Sequence, residues 1–151
     1  RDWRFVSAVS LLYAAVMAVD ALGALTFGAL FDRLGLSVLA AAAVVSALFA
    51  PFVFLRPSLP WLLGGAGLWA LGMGAQESVF KAAIATLVPK AERARAYGVF
   101  FGFFGLAWWL GSTAMGWLYG RSLGGLVLFS VTTQLAAAAV LLAVGHRAAR
   151  R

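Results

Sequence analysis

The sequence predicts an all-α protein: a polytopic bundle of about five transmembrane helices. Three observations carry that prediction. Hydrophobic residues make up 64% of the 151-residue chain and charged residues 11%, against roughly 45–50% and 25% in soluble domains. The apolar runs reach and exceed the ~20 residues needed to cross a bilayer, whereas a buried core helix usually shows about 10–14. Finally, the runs are divided by Asp32-Arg33-Leu34-Gly35, Arg56-Pro57-Ser58-Leu59-Pro60, Pro89 to Arg95, and Arg121-Ser122-Leu123-Gly124. Each break holds Gly, Pro or charge that would interrupt a lipid-facing helix. A water-soluble fold of this length could not hide so much apolar surface, so lipid is the expected solvent and partner.

The spans fall at about 5–31, 36–55, 60–88, 96–120 and 124–145, with boundaries good to ~2–4 residues. The first ends on the charges of Asp32 and Arg33. The second and fifth carry no charge, and Val38 to Leu55 lacks the alternation of apolar and polar residues that a membrane β-strand shows. The third opens after Pro60 and closes at Pro89, with Gly64, Gly65, Gly67, Gly72 and Gly74 inside it. The fourth holds Gly98, Gly102, Gly105, Gly111 and Gly116. These glycines suit close helix packing and hinges. Every loop is short, so neighbours pack antiparallel, and five spans leave the two ends on opposite sides.

Composition also excludes function classes. With no cysteine there is neither a disulfide frame nor a thiolate metal site. His146 is single and terminal, whereas a transition-metal site needs several converging ligands. No cofactor is expected. The formal charge of +7 is not gathered on one solvated face, so nucleic acid is not an expected partner. Instead it punctuates the loops: Arg33, Lys90, Arg93, Arg95, Arg147, Arg150 and Arg151 fall on one side, and Arg1, Arg4, Arg56 and Arg121 on the other. The richer side should be cytoplasmic, which places the C-terminus inside a plasma (inner) membrane. No phosphate-binding G-x-x-x-x-G-K-[ST] loop is present, and no nucleophile-and-base constellation suggests an enzyme. Arg1-Asp2-Trp3-Arg4 reads as an interhelical loop and not as a signal peptide, so the sequence reads as a piece of something longer.

An internal repeat adds to this reading. Shifted by 88 positions, Leu22 to Arg33 aligns with Leu110 to Arg121: Leu22, Gly23, Gly28, Leu30 and Arg33 recur as Leu110, Gly111, Gly116, Leu118 and Arg121, and Phe31 is matched by Tyr119. The matched spans are the first and the fourth, which run in opposite directions. Three-helix units of inverted topology follow such a pattern. The same offset applied to the unit that starts near Pro60 places the start of its partner about 28 residues before Arg1, so one helix is expected upstream.

Gly28-Ala29-Leu30-Phe31-Asp32-Arg33-Leu34-Gly35 resembles the cytoplasmic G-x-L-x-D-R-x-G signature of the major facilitator superfamily. Leu36-Ser37 stand where the full signature continues with basic residues. Leu87 to Gly98, containing Pro89-Lys90-Ala91-Glu92-Arg93-Ala94-Arg95, is similar to that family's loop between its tenth and eleventh helices. The resemblance covers all 151 residues as one partial C-terminal domain, its helices eight to twelve. It implies an N-terminal half as partner, and a cytoplasmic gate built from Gly28, Asp32, Arg33, Gly35 and Arg95. Asp32 sits at a helix C-terminus, where the macrodipole disfavours an anion and favours Arg33. A partner elsewhere is needed if Asp32 is more than a turn residue. The resemblance places that partner in the other half.

Three charges lie inside spans. Asp20 precedes Asp32 by 12 residues and Glu77 precedes Pro89 by 12, which puts both about 18 Å from the same boundary. Lys81 follows Glu77 by four, the favourable order for an ion pair on one helix face. Such charges cost at least ~2.5 kcal/mol each at a helix centre on insertion scales and normally face protein or water. Asp20, Glu77 and Lys81, with Gln76 as a hydrogen-bonding neighbour, are the candidate substrate- or ion-coupling residues. The plainer alternative is that Glu77 and Lys81 neutralise one another and only fix packing. Tyr13, Trp108, Trp109, Trp117 and Tyr119 are candidate interface anchors. The functional expectation is a secondary active transporter that works by alternating access, ion- or proton-coupled, for an unidentified small solute. The other class kept open is a non-transporting membrane scaffold or assembly subunit.

Overall fold

The computed structural model describes residues 3–56 and 58–148, with side chains of 3–6 and 146–148 excepted. Arg1, Asp2, Pro57, Arg150 and Arg151, which enter the loop and charge arguments above, lie outside the described residues, as do the side chains of Arg4, His146 and Arg147. The described chain is all-helical: α1 (Trp3–Leu34), α2 (Ser37–Ser46), α3 (Phe49–Leu55), α4 (Leu59–Leu87), a 3₁₀ turn at Lys90–Glu92, α5 (Arg93–Tyr119) and α6 (Leu123–Ala148). Four stretches are long and apolar enough to cross a membrane: Ser7–Leu34, Ser37–Leu55, Lys90–Tyr119 and Leu123–Gly145. The remaining rod, α4, has 29 residues and at 1.5 Å per residue runs about 43 Å, ample for a bilayer core. Its glycines and its Gln76, Glu77 and Lys81 keep it out of that set of four. It is also the rod at the centre, packed most extensively on α1 and also touching α2, α3 and α5.

Pro51 breaks the second span. The ring at position 51 has no N–H for the Ala47 carbonyl and clashes with it. The helix accordingly ends at Ser46 and restarts at Phe49, with a turn at residues 47–48. The Ser46 carbonyl accepts a hydrogen bond from Gln134 Nε2 of α6 (3.4 Å), and Ser46 Oγ donates to the Leu68 carbonyl of α4 (3.3 Å). Ser46 is buried. Backbone irregularity at membrane depth is tolerated where protein covers it, as here.

The turn from α1 into α2 depends on Gly35, whose φ of +57° is the one positive value among the described residues. Its N–H caps the helix on the Phe31 carbonyl (2.8 Å). At the other sharp reversal, Arg93 Nε donates to the Val88 carbonyl (3.0 Å) and its Nη2 to that of Ala85, so the last carbonyls of α4 are closed by a cation from the next helix.

Helix directions follow from the contacts. Gly23 lies against Leu71 and Gly28 against Ser78, so α1 and α4 run parallel. Gly145 lies against Leu36 and Ser37 while Gln134 reaches Ser46, so α6 runs antiparallel to α2. Phe80 packs near Phe100 and Phe104 while Tyr97 Oη donates to the Lys81 carbonyl, so α5 is antiparallel to α4. Arg33, Arg93 and Arg95 consequently share one side with the end of α6, and Arg56 and Arg121 share the other. Two apolar clusters hold the bundle: Leu39, Ala42, Ala75 and Val79 towards the first side, and Ala50, Leu126 and Val127 towards the second.

Candidate functional site

The crossing of α1 and α4 is made by small residues. A methyl at Gly74 would fall on the Asp20 carbonyl oxygen and 2.6 Å from the Ala24 amide nitrogen, so the two backbones touch there. At Gly23 a methyl would meet the Leu71 Cα at 3.3 Å, and at Gly28 it would meet the Ser78 Cβ at 3.7 Å. Gly74 is therefore the position where the absence of a side chain is required, and Gly28 has room for a methyl. Ser78 does not compete for this interface, because its hydroxyl donates back to the Gly74 carbonyl (2.9 Å).

This crossing brings the intramembrane charges together. Asp20 on α1 lies at the level of Gly74, one turn from Glu77 on α4. Lys81 Nζ and Glu77 Oε2 are 3.6 Å apart, with both side chains about half exposed (56% and 55%). Asp20 Oδ1 is the one enclosed side-chain polar atom without a hydrogen-bond partner among the described residues. A half-exposed ion pair this deep in a span cannot face lipid cheaply, so its open side belongs against protein or water.

Two cavities flank the charges. One of about 140 Å³ lies between α4 and α5 and is lined by Gln76, Glu77, Phe80 and Lys81 of α4 and by Phe101 and Phe104 of α5. The larger, about 850 Å³, is bounded by α4, α5, α6 and the α2–α3 break. Gln76 lines both, together with Met73. The larger cavity adds polar groups that sequence reasoning passes over: Ser46, Ser130, Thr133 and Gln134. A signal for them does exist, since Gln134 ends a polar cluster with Ser130, Thr132 and Thr133 in the middle of its span and Pro51 marks the break beside Ser46.

The signature residues lie apart from this centre. Asp32, Arg33 and Arg95 are exposed at one end of the bundle. The single ion pair among the described residues is Lys81–Glu77, so Asp32 is paired with neither Arg33 nor Arg95. No group of three His, Cys, Asp or Glu side chains capable of holding a metal occurs among the described residues.

Apolar rods joined by short loops define a polytopic integral membrane protein. The sequence profile of the Major Facilitator Superfamily matches residues 6–150. The chain belongs to that superfamily, a family of membrane transporters. Among similar proteins are uncharacterized proteins of Mycobacterium bovis and of Mycobacterium tuberculosis, each 38% identical over 136 residues, covering 90% of this chain and 33% of the relative. The chain thus spans about a third of the length of the curated relatives it matches. No solved structure matches it.

Proposed function

We propose that these residues form helices eight to twelve of a secondary active transporter that moves a small solute by alternating access, with ion or proton coupling through Asp20, Glu77 and Lys81. One observation supports this above the others: two parallel helices present three ionisable groups within about two turns of one another, and one of their carboxylate oxygens is enclosed without a partner. A purely structural pair would account for Glu77 and Lys81 but would leave Asp20 unexplained. Gln76 is proposed as a solute contact, and Gly28, Asp32, Arg33, Gly35 and Arg95 as part of the gate on the side we assign to the cytoplasm. The proposed partner is the N-terminal half of the same transporter, and the proposed location is the plasma (inner) membrane with the C-terminus inside.

The test is a solute screen on the full-length protein in proteoliposomes, with a transmembrane pH gradient present or collapsed. Flux of at least one solute that falls when the gradient collapses is expected. Glu77→Gln should reduce that flux more than it reduces membrane insertion, and Asp20→Asn should remove its dependence on the gradient. Normal flux with unchanged pH dependence in both variants would return the charges to a structural role. Absence of any flux would favour the scaffold alternative.

A further inference from the structure

Among the described residues, the second span is the one rod that is interrupted in its middle. Pro51 has no N–H to give, and the Leu48 N–H turns back three residues to the Val45 carbonyl (3.2 Å). Yet the backbone stays in the right-handed helical region: Ala47 has φ −58° and ψ −23°, and Leu48 has φ −74° and ψ −13°. α and 3₁₀ turns share that basin. A change in the bend between α2 and α3 therefore needs torsional shifts of roughly 10–30° and crosses no forbidden conformation. An unbroken helix would resist the same change through its i→i−4 bonds.

A soft turn acts as a hinge when one side of it is held. Ser46, the last residue of α2, is buried, and a methyl at Gly72 of α4 would lie 2.9 Å from its Cβ. That contact has no slack. Ser46, Gly72 and Gln134 each stand near the middle of their spans, so the held point is at mid-membrane. The polar bonds around it are long: 3.3 Å from Ser46 Oγ to the Leu68 carbonyl and 3.4 Å from Gln134 Nε2 to the Ser46 carbonyl. Both exceed the usual hydrogen-bond range and are correspondingly weak. Apolar packing divides at the same level. Leu39 and Ala42 of α2 belong to the cluster of Ala75 and Val79, whereas Ala50 of α3 belongs to that of Leu126 and Val127, and the two clusters share no residue. The short α3 has its own seat on Gly64 and Gly65 of α4, and its first residue, Phe49, is a wall of the 850 Å³ cavity.

We propose that residues 47–48 are a hinge on which α3 swings about the Ser46–Gly72 contact, with Gln134 as the latch that holds the bend and Phe49 carrying the cavity wall with it. The hinge goes beyond the transporter reading, since it requires no particular solute and no coupling residue. The test is double electron–electron resonance on the full-length, otherwise cysteine-free protein in lipid nanodiscs, with spin labels at Ser37 and Leu55, the exposed ends of the span. A straight helix would set their Cα atoms about 27 Å apart. Labels at Leu123 and Leu142, both exposed on the unbroken α6, give the control distribution.

Two populated Ser37–Leu55 components, together broader than the control, are expected in the wild type. Pro51→Ala restores the missing N–H and should leave one component near the straight-helix length. Gln134→Leu deprives the Ser46 carbonyl of its donor from α6 and should lower the ratio of bent to straight about threefold or more. Each variant is scored only with an unaltered gel-filtration profile. A wild-type distribution as narrow as the control overturns the hinge without recourse to any variant, and an unchanged distribution in Pro51→Ala or Gln134→Leu overturns it too. Solute flux in the pH-gradient screen beside a narrow distribution would remove the hinge alone; two components without flux of any solute would keep the hinge and remove the transporter reading.

Discussion

Gly74→Ala should be the most damaging single-methyl change in the α1–α4 interface, and Gly28→Ala the matched control. At Gly74 the added carbon would sit 2.6 Å from the Ala24 nitrogen and nearer still to the Asp20 carbonyl oxygen. Both are backbone atoms of a continuous helix and cannot swing aside. Restoring a contact near 3.5 Å requires α1 to move off α4 by about 1 Å, and a gap of that size forfeits a quarter to a half of each dispersion contact along the seam. In a bilayer, lipid competes for apolar surface, so such packing supplies most of the association energy between helices. Overpacking of this type costs about 1–3 kcal/mol. At Gly28 the new methyl would meet Ser78 Cβ at 3.7 Å, an ordinary contact, and helix propensity would favour alanine by up to about 1 kcal/mol. Apparent melting temperatures of the full-length variants in mild detergent, read by fluorescence-detected gel filtration, should fall for Gly74→Ala and hold or rise for Gly28→Ala. Equal melting of the two variants would refute the crossing geometry.

Three other outcomes are expected. Gly35→Ala should cost about 1–2 kcal/mol, because φ of +57° is a left-handed conformation that a Cβ penalises, and Gly35→Asn should cost less; since no atom lies within 4 Å of a Cβ built there, equal losses would show that something other than backbone strain is at work. In a cysteine-free background, single thiols at Ser58 or Ser122 should label from outside intact cells and those at Ser37 or Ala91 only after permeabilisation, the reverse pattern overturning the assigned orientation. Asp32→Asn should shift the full-length transporter towards its inward-open form, and a bias of about 1.4 kcal/mol would change the state ratio tenfold, read as greater thiol accessibility on the side bearing Arg33; an equal loss of stability in the isolated 151-residue chain would place the partner of Asp32 within it.

The depth of the charges is legible in the sequence, because depth along a rod is a matter of counting residues from its end. Counting alone sets Asp20 and Glu77 at one level, and the α1–α4 crossing seats Asp20 against Gly74, one turn from Glu77. Lateral arrangement is not legible. A helix in lipid is apolar on both its protein and its lipid face, so periodicity gives little hint of which side packs. Nothing in the spacing of Gly65, Gly72 and Gly74 announces that the first two meet α3 and α2 while the third meets α1. The second and fifth spans carry no charge, yet Ser46, Ser130, Thr133 and Gln134 from them wall the larger cavity. Their hydroxyls and amide are too weakly polar to stand out against the hydropathy of their spans, and Pro51 is a single residue in an otherwise continuous apolar run.

The repeat between α1 and α5 acquires a physical meaning from the contacts. Its two recurrent glycines on α1, Gly23 and Gly28, both face α4, against Leu71 and Ser78. Their counterparts on α5, Gly111 and Gly116, have no atom within 4 Å of a Cβ built there, and neither do Gly98, Gly102 and Gly105 along the same helix. No described residue of α5 is buried. Residues that seat one helix against α4 thus recur, in inverted orientation, on a helix whose corresponding seat is open. Glycine-rich faces of membrane helices are advantageous where another backbone approaches, and they offer lipid less contact area than leucine would. The arrangement is what an inverted pair of three-helix units requires if a rod equivalent to α4 lies across α5 and α6. In the proposed transporter that rod would close the outer wall of the 850 Å³ cavity. The cavity would then lie between two equivalent central helices, with Gln76 contributed by one and the second wall by the other.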